Sequence, residues 1–247
     1  MKLNKLIAIA TISLLSGGIS MAQKALNLED IVAGNIIQTK GIGSMTWLKD
    51  GERYSRLENN KQTGGTDIVA YRAKDNSREV IIPSSLLTDK STGRPIPVRS
   101  VSWSADNEKV LIYNNTRRVW RYDTRGDYWV LNLKDGALRQ LGKGMPESSM
   151  MFAKFSPDGT RVAYVSNNNI YVEDIDSGKI TQLTKDGSDT IVNGTFDWVY
   201  EEEFSCRDGF RWSPDGKHIA YWQSDTKGTG VFDIINNVDS IYAKVIH

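Results

Sequence analysis

The chain has 247 residues and sets 31 Lys and Arg against 30 Asp and Glu, a formal net charge of +1. Such a balance leaves no electrostatic drive toward nucleic acid or an anionic membrane, so neither is an expected partner. Hydrophobic residues at 39% and charged residues at 25% suit a folded chain long enough to bury a core.

Lys2 and Lys5 open the chain with positive charge, and Leu6 to Leu15 follow as an apolar run. Ser20-Met21-Ala22 then offers the small residues a signal peptidase needs. Residues 1–22 are expected to be a signal peptide cleaved after Ala22, a buried helix of the fold being the alternative. The run is short for a membrane span, so none is expected after cleavage. Cys206 is the only cysteine and can form no intrachain disulfide. An exported, disulfide-free chain suits a bacterial periplasm or secretion.

Residues 23–41 form an N-terminal segment. Within it, residues 26–36 predict a short helix with Asn27 as N-cap and Asp30 at its third position. Alone such a helix is marginal and needs a packing partner.

Residues 42–247 are organised by a repeat. Trp47-Leu48-Lys49-Asp50-Gly51 returns as Trp103-Ser104-Ala105-Asp106-Asn107, as Phe155-Ser156-Pro157-Asp158-Gly159 and as Trp212-Ser213-Pro214-Asp215-Gly216, at spacings of 56, 52 and 57 residues. Turn chemistry ends in β-type runs at residues 110–113, 162–165 and 219–222. A second hairpin follows in three repeats, turning at Asp75-Asn76-Ser77, Lys134-Asp135-Gly136 and Asp176-Ser177-Gly178. Two hairpins in each period of about fifty residues predict a four-stranded propeller blade. The expected fold is therefore all-β, a partial β-propeller of about four blades with a short N-terminal helix. A β-sandwich is the alternative. An open arc leaves sheet faces uncovered; with no evident closing strand at Val245-Ile246-His247, a fragment of a larger ring is expected.

Asp197-Trp198-Val199-Tyr200-Glu201-Glu202-Glu203-Phe204 breaks the repeat. Three adjacent carboxylates make a poor strand, and the bland reading is a solvated acidic turn. Trp198, Tyr200 and Phe204, however, favour burial and would hold the acids in place. Neighbouring strand residues face opposite ways, so two adjacent glutamates can share a ligand only on a kinked or helical backbone. A helical turn or irregular excursion is expected at residues 201–204. Converging carboxylates suit a primary ammonium with its three donors. A divalent metal would want more oxygen ligands, and a glycosidase pair would stand further apart. No metal or cofactor is expected.

With its flanks, Leu183-Thr184-Lys185-Asp186-Gly187 and Phe210-Arg211-Trp212-Ser213-Pro214-Asp215-Gly216, this segment resembles the propeller of the dipeptidyl peptidase IV family of serine exopeptidases, from about residue 26 onward. The resemblance implies that Glu202 and Glu203 hold the α-amine of a peptide substrate, with Asp197, Trp198, Tyr200 and Glu201 in support. It also implies that the Trp120-Arg121 pair of the second blade supplies an arginine for a substrate carbonyl, although Arg117, Arg118 and Arg125 lie close by. About four of an expected eight blades would be present. The family's α/β-hydrolase domain, onto which residues 26–36 would pack, is absent from the chain.

No Gly-x-Ser-x-Gly motif occurs. The two histidines, His218 in a strand and His247 at the end, do not suggest a triad. The chain is therefore expected to be the substrate-recognition part of an enzyme releasing N-terminal dipeptides with Pro or Ala second. By itself it is expected to be non-catalytic. Its partners would be the substrate N-terminus and the absent domain, and a homodimer is conceivable only for the longer protein. A non-catalytic periplasmic propeller that binds peptides or proteins is the alternative.

Overall fold

The computed structural model describes residues 27–32, 41 and 43–246; the expected signal peptide at residues 1–22 and His247 lie outside them. The chain divides into two units, Met1–Ile42 and Gly43–His247. In the first, the expected helix is the five-residue α1, Leu28–Val32, whose Ile31 N–H donates to the Asn27 carbonyl at 3.3 Å. The side chain of Asp30 is outside the described residues.

The second unit is a series of antiparallel meanders. The first blade is β1 (Thr46–Trp47), β2 (Arg53–Asn59), β3 (Thr66–Arg72) and β4 (Arg78–Ile82), hydrogen-bonded in that order. A 3-10 turn at Ser84–Leu87 and a small hairpin of β5 (Thr88–Asp89) and β6 (Arg94–Pro95) follow. Neither shows in the repeat, because neither belongs to a blade. The second blade is β7 (Ser100–Trp103), β8 (Lys109–Arg117), β9 (Arg125–Asn132) and β10 (Leu138–Gln140). The third is β11 (Met151–Phe155), β12 (Arg161–Ser166), β13 (Asn169–Asp174) and β14 (Ile180–Gln182).

Strand alternation explains why the blades stack. In β8, Val110 and Ile112 join the cluster of Ile68, Ile82 and Leu131 toward the first blade, whereas Leu111 joins Tyr128, Val162 and Tyr164 toward the third. In β12, Val162 and Tyr164 face that second cluster, while Ala163 and Val165 pack with Ile170 and Phe210 toward the fourth repeat. Each middle strand is thus apolar on both faces, and each blade completes its core with its neighbours. The repeat aromatics reinforce this packing. Trp103 donates its indole N–H to Ser55 Oγ of the first blade at 3.1 Å, and Trp212 donates to the Lys154 carbonyl of the third at 3.3 Å.

The repeated turn has a backbone reason. Its last residue is left-handed each time, at φ 69° for Gly51, 60° for Asn107, 66° for Gly159 and 67° for Gly216; glycine, or less readily asparagine, accepts that conformation. In the last three turns a serine two residues before the aspartate is a second constant. Ser156 Oγ donates to Asp158 at 2.5 Å and accepts from the Arg161 N–H at 3.0 Å. Ser104 and Ser213 do the same at Asp106 and Asp215.

The fourth repeat is built differently. β15 (Ile191–Asn193) pairs with β18 (Gln223–Asp225), and β16 (Phe210–Trp212) pairs with β17 (Ile219–Tyr221). His218, expected within a strand, instead closes the turn before β17, with its N–H on Ser213 Oγ at 2.9 Å. Residues 234–246 form a local two-stranded hairpin of β19 (Ile234–Asn236) and β20 (Lys244–Ile246).

The turn carries a pH signature. The Ser156 hydroxyl, and after it the Thr160 N–H, hold the Asp158 carboxyl at about 2 against an ordinary 3.8. A carboxyl lowered by folding stabilises the fold above the unfolded value, and that contribution is lost as pH falls through the folded one. Ser156→Ala should therefore raise the Asp158 pKa toward 3.8, as read by carboxyl-carbon NMR titration. It should also cost about 1 kcal/mol in urea unfolding at neutral pH.

Candidate functional site

Residues 194–209 leave the fourth repeat on a narrow neck. Gly194 N–H donates to the Trp222 carbonyl at 2.9 Å, Gly209 N–H to Gly194 at 3.1 Å and Phe196 N–H to Arg207 at 2.9 Å; Thr195 and Asp208 form a bridge. At the tip lies α2, Trp198–Phe204, capped at its start by Asp197, whose carboxylate accepts from the Tyr200 N–H at 3.3 Å. Ser205 ends it in the left-handed conformation, and the Cys206 N–H returns to the Tyr200 carbonyl at 3.0 Å. The helical turn expected at 201–204 is present and begins three residues earlier.

The aromatics are not what holds it. Trp198, Tyr200 and Phe204, expected to be buried, are 52%, 39% and 67% exposed. A two-turn helix on a neck has no core beneath it. Tyr200 instead stacks on Phe196 of the neck at 4.5 Å between ring centres and meets Phe204 in a tilted contact at 5.4 Å.

The anchor is Glu201, 1% exposed. One of its oxygens accepts from the backbone N–H of Arg121 at 2.8 Å and of Tyr122 at 3.3 Å, and the other pairs with Arg207 Nη1 at 3.1 Å. Two consecutive backbone N–H groups directed at one oxygen form an anion cradle, here at the tip of the β8–β9 hairpin of the second blade. Arg207 is itself buried. Its guanidinium carbon lies 3.9 Å from the centre of the Trp120 ring, and its Nε donates to Thr195 Oγ1 at 3.4 Å. Burial draws its pKa below the usual arginine value and the Glu201 carboxylate opposes that shift, so the guanidinium stays charged.

Glu202 meets the same loop through side chains. Arg121 holds it in a bidentate ion pair, Nε to Oε1 and Nη2 to Oε2, and this carboxylate raises the arginine above its ordinary value. The Glu202 side chain is only 10% exposed, Arg121 is 65% exposed, and Glu203 is exposed.

The structure therefore joins Trp120, Arg121, Glu201 and Glu202 across some eighty residues. It also separates the neighbouring arginines. Arg118 Nε turns to the Trp120 carbonyl at 2.9 Å, while Arg117 and Arg125 face each other in the β8–β9 ladder. Asp197, Trp198 and Tyr200 act on α2 through its cap and its surface. The sequence reading missed Arg207. Its only sequence signal is one cation shortly after three acids, which says nothing about burial.

Beside the neck lies an open groove of about 540 Å³ lined by Phe196, Asp208, Phe210, Arg211, Tyr221 and Trp222, among others. Among the described residues no group of three or more His, Cys, Asp or Glu could hold a metal ion.

This constellation sits on a chain whose residues 104–247 match the model of the dipeptidyl peptidase IV (DPP IV) N-terminal region. The chain belongs to that family. It is 36% identical over 135 residues to a probable dipeptidyl-aminopeptidase B of Chaetomium globosum, covering 54% of this chain and 15% of the relative. A probable dipeptidyl-aminopeptidase B of Aspergillus terreus is 28% identical over 220 residues, 85% of this chain and 24% of its own length. The crystal structure of Porphyromonas gingivalis dipeptidyl peptidase 4 superposes with a TM-score of 0.72 at 24% identity, over 91% of this chain and 31% of that one. That likeness supports the propeller fold. The chain spans a quarter or less of the length of these curated relatives.

Gly194 is the hinge of the neck. Its φ is +73°, and a Cβ there would fall 2.8 Å from Ile170 Cγ1 and 2.9 Å from Val165 Cγ2. Gly194→Ala should destabilise the fold by roughly 1–3 kcal/mol, from the left-handed backbone and overpacking together, measured as a lower urea midpoint with an unchanged m-value.

Proposed function

We propose that this chain is the substrate-recognition part of an exported serine exopeptidase that releases N-terminal dipeptides, with Pro or Ala second. Glu202 and Glu203 bind the free α-amine of the peptide, and Arg121 orients a substrate backbone carbonyl. The observation that carries this reading is the meeting of the Arg121 loop with the glutamate helix, joined by the Arg121–Glu202 pair.

The charges suit one ammonium. Glu202 and Arg121 offset each other, and so do Glu201 and Arg207. The exposed Glu203 leaves one negative charge, which a protonated amine neutralises while its three N–H donors find carboxylate oxygens. Binding the amine fixes how far a peptide enters the enzyme, so that a nucleophile supplied elsewhere meets the bond after the second residue. This is catalysis by positioning, in which contacts remote from the bond meet the entropic cost at the bond. The nucleophile, its base and the oxyanion donors lie outside these 247 residues in this reading. The leader at residues 1–22 supports export, and the family to which the chain belongs supports the peptidase class.

The test uses the product of the complete reading frame. Glu203→Gln should lower kcat/KM for a dipeptidyl substrate by about 30-fold or more, because losing one partner of a charge pair that the bound peptide buries costs on the order of 2–5 kcal/mol. Its melting temperature should stay unchanged. N-acetylation of the substrate should abolish turnover by the unaltered enzyme. Unchanged kinetics in Glu203→Gln would remove the amine-binding role. The 247-residue chain alone should turn over no peptide at any pH, and measurable turnover would place the catalytic groups on it.

A further inference from the structure

We infer that Arg207 is a positioning residue for substrate recognition: through Glu201 and Trp120 it fixes the second-blade loop so that Arg121 stands ready beside the glutamate pair before any peptide arrives. This inference rests on the amine-binding reading above and names a residue which that reading does not require.

The argument starts from cost. Arg121 is exposed, on the seven-residue loop 118–124 between β8 and β9. A free arginine on such a loop would sample many rotamers, and binding would have to order both loop and side chain. The loop is instead held by its backbone: the Arg121 and Tyr122 N–H groups both end on the buried Glu201 carboxylate. A buried carboxylate with only neutral donors is expensive. Arg207 supplies the countercharge at 3.1 Å and is 8% exposed against 0% for Glu201.

Trp120, one residue before Arg121, closes the arrangement by covering the guanidinium face at 3.9 Å. The same arginine thus neutralises the acid that holds the loop's backbone and stacks on the loop's own aromatic ring. Arg207 touches neither Glu202 nor Glu203 in any recorded hydrogen bond or ion pair among the described residues. Its effect on a ligand is therefore exerted through Glu201 and the loop. Thr195 and the neck set its own position, which links the loop to the base of the excursion.

The experiment uses the 247-residue chain and two probes, a short Ala-Pro peptide with a free N-terminus and its N-acetyl form, titrated by NMR. The unaltered chain should prefer the free amine. Arg207→Met should weaken free-amine binding about tenfold and leave the weak N-acetyl baseline unchanged. The Arg121 and Tyr122 amides should exchange faster with solvent, while those of Ala163 and Tyr164 in the third blade keep their protection. Arg207→Lys, which keeps a charge within reach of Glu201, should recover part of the affinity.

Should Arg207→Met fail to fold, Trp120→Leu keeps the ion pair and should weaken free-amine binding about threefold. An unaltered chain that ignores the free amine sinks the amine-binding reading. One that prefers the amine, with a folded Arg207→Met or Trp120→Leu chain that binds it equally well, sinks the positioning role alone. Unchanged Arg121 and Tyr122 amide exchange in Arg207→Met overturns that role as well.

Discussion

The carboxylate of Glu201 is the constraint on which the site depends. It is fully buried, yet it belongs to a short helix with no core beneath it, so α2 is anchored chiefly by polar contacts. Three donors converge on it, two from the backbone of the second blade and one from Arg207. Removing any of them leaves charge or lone pairs buried without partners. Breaking a buried ion pair typically costs 3–5 kcal/mol, more than a two-turn helix can offset from its own hydrogen bonds. Loosening that contact therefore loosens the helix, the loop and the neck together.

The blades use the same device where no ligand is expected. Glu173 in β13, 1% exposed, accepts from the Gly142 N–H of the second blade at 2.8 Å and faces Arg139 at 3.4 Å. Burial pushes its pKa up, with the backbone donor and the arginine opposing. In both places a carboxylate reaches out of one repeat to satisfy a main-chain donor of another. Apolar clusters between blades supply most of the cohesion, but they are non-directional. Carboxylates on backbone donors set the register between repeats. A propeller that positions a site across two blades needs that directionality.

This division explains what could be read beforehand. The turn repeats were legible because an aspartate followed by a left-handed residue recurs at each turn, and such local chemistry leaves a local pattern. The four-stranded blades followed from two hairpins per period. The helical kink at the acids followed from strand geometry, since adjacent glutamates cannot share one face. What failed was the reason given for their placement. The general preference of aromatic rings for burial points to Trp198, Tyr200 and Phe204 as the buried members of the segment. The structure buries Glu201 and leaves the rings out. Burial of an acid depends on a partner distant in sequence, here the loop eighty residues earlier, and no window around residue 201 contains it. The 3-10 turn at Ser84–Leu87 and the β5–β6 hairpin were invisible for a different reason: they occur once, outside the repeat.

The state of Glu202 completes the picture of the proposed clamp. Two unpaired adjacent carboxylates would repel each other, and one would tend to take up a proton. The bidentate Arg121 pair relieves that repulsion within the unliganded protein. In the proposed clamp an arriving ammonium would meet two carboxylates, one fixed in place by a guanidinium and one exposed to solvent. The fixed acid contributes direction, since its oxygens cannot turn away without breaking two parallel bonds. In that proposal the exposed acid would contribute the uncompensated charge that attracts the amine from a distance. Direction and attraction are thus divided between neighbouring residues of identical chemistry, and what divides them is the contact each makes with a loop of another blade.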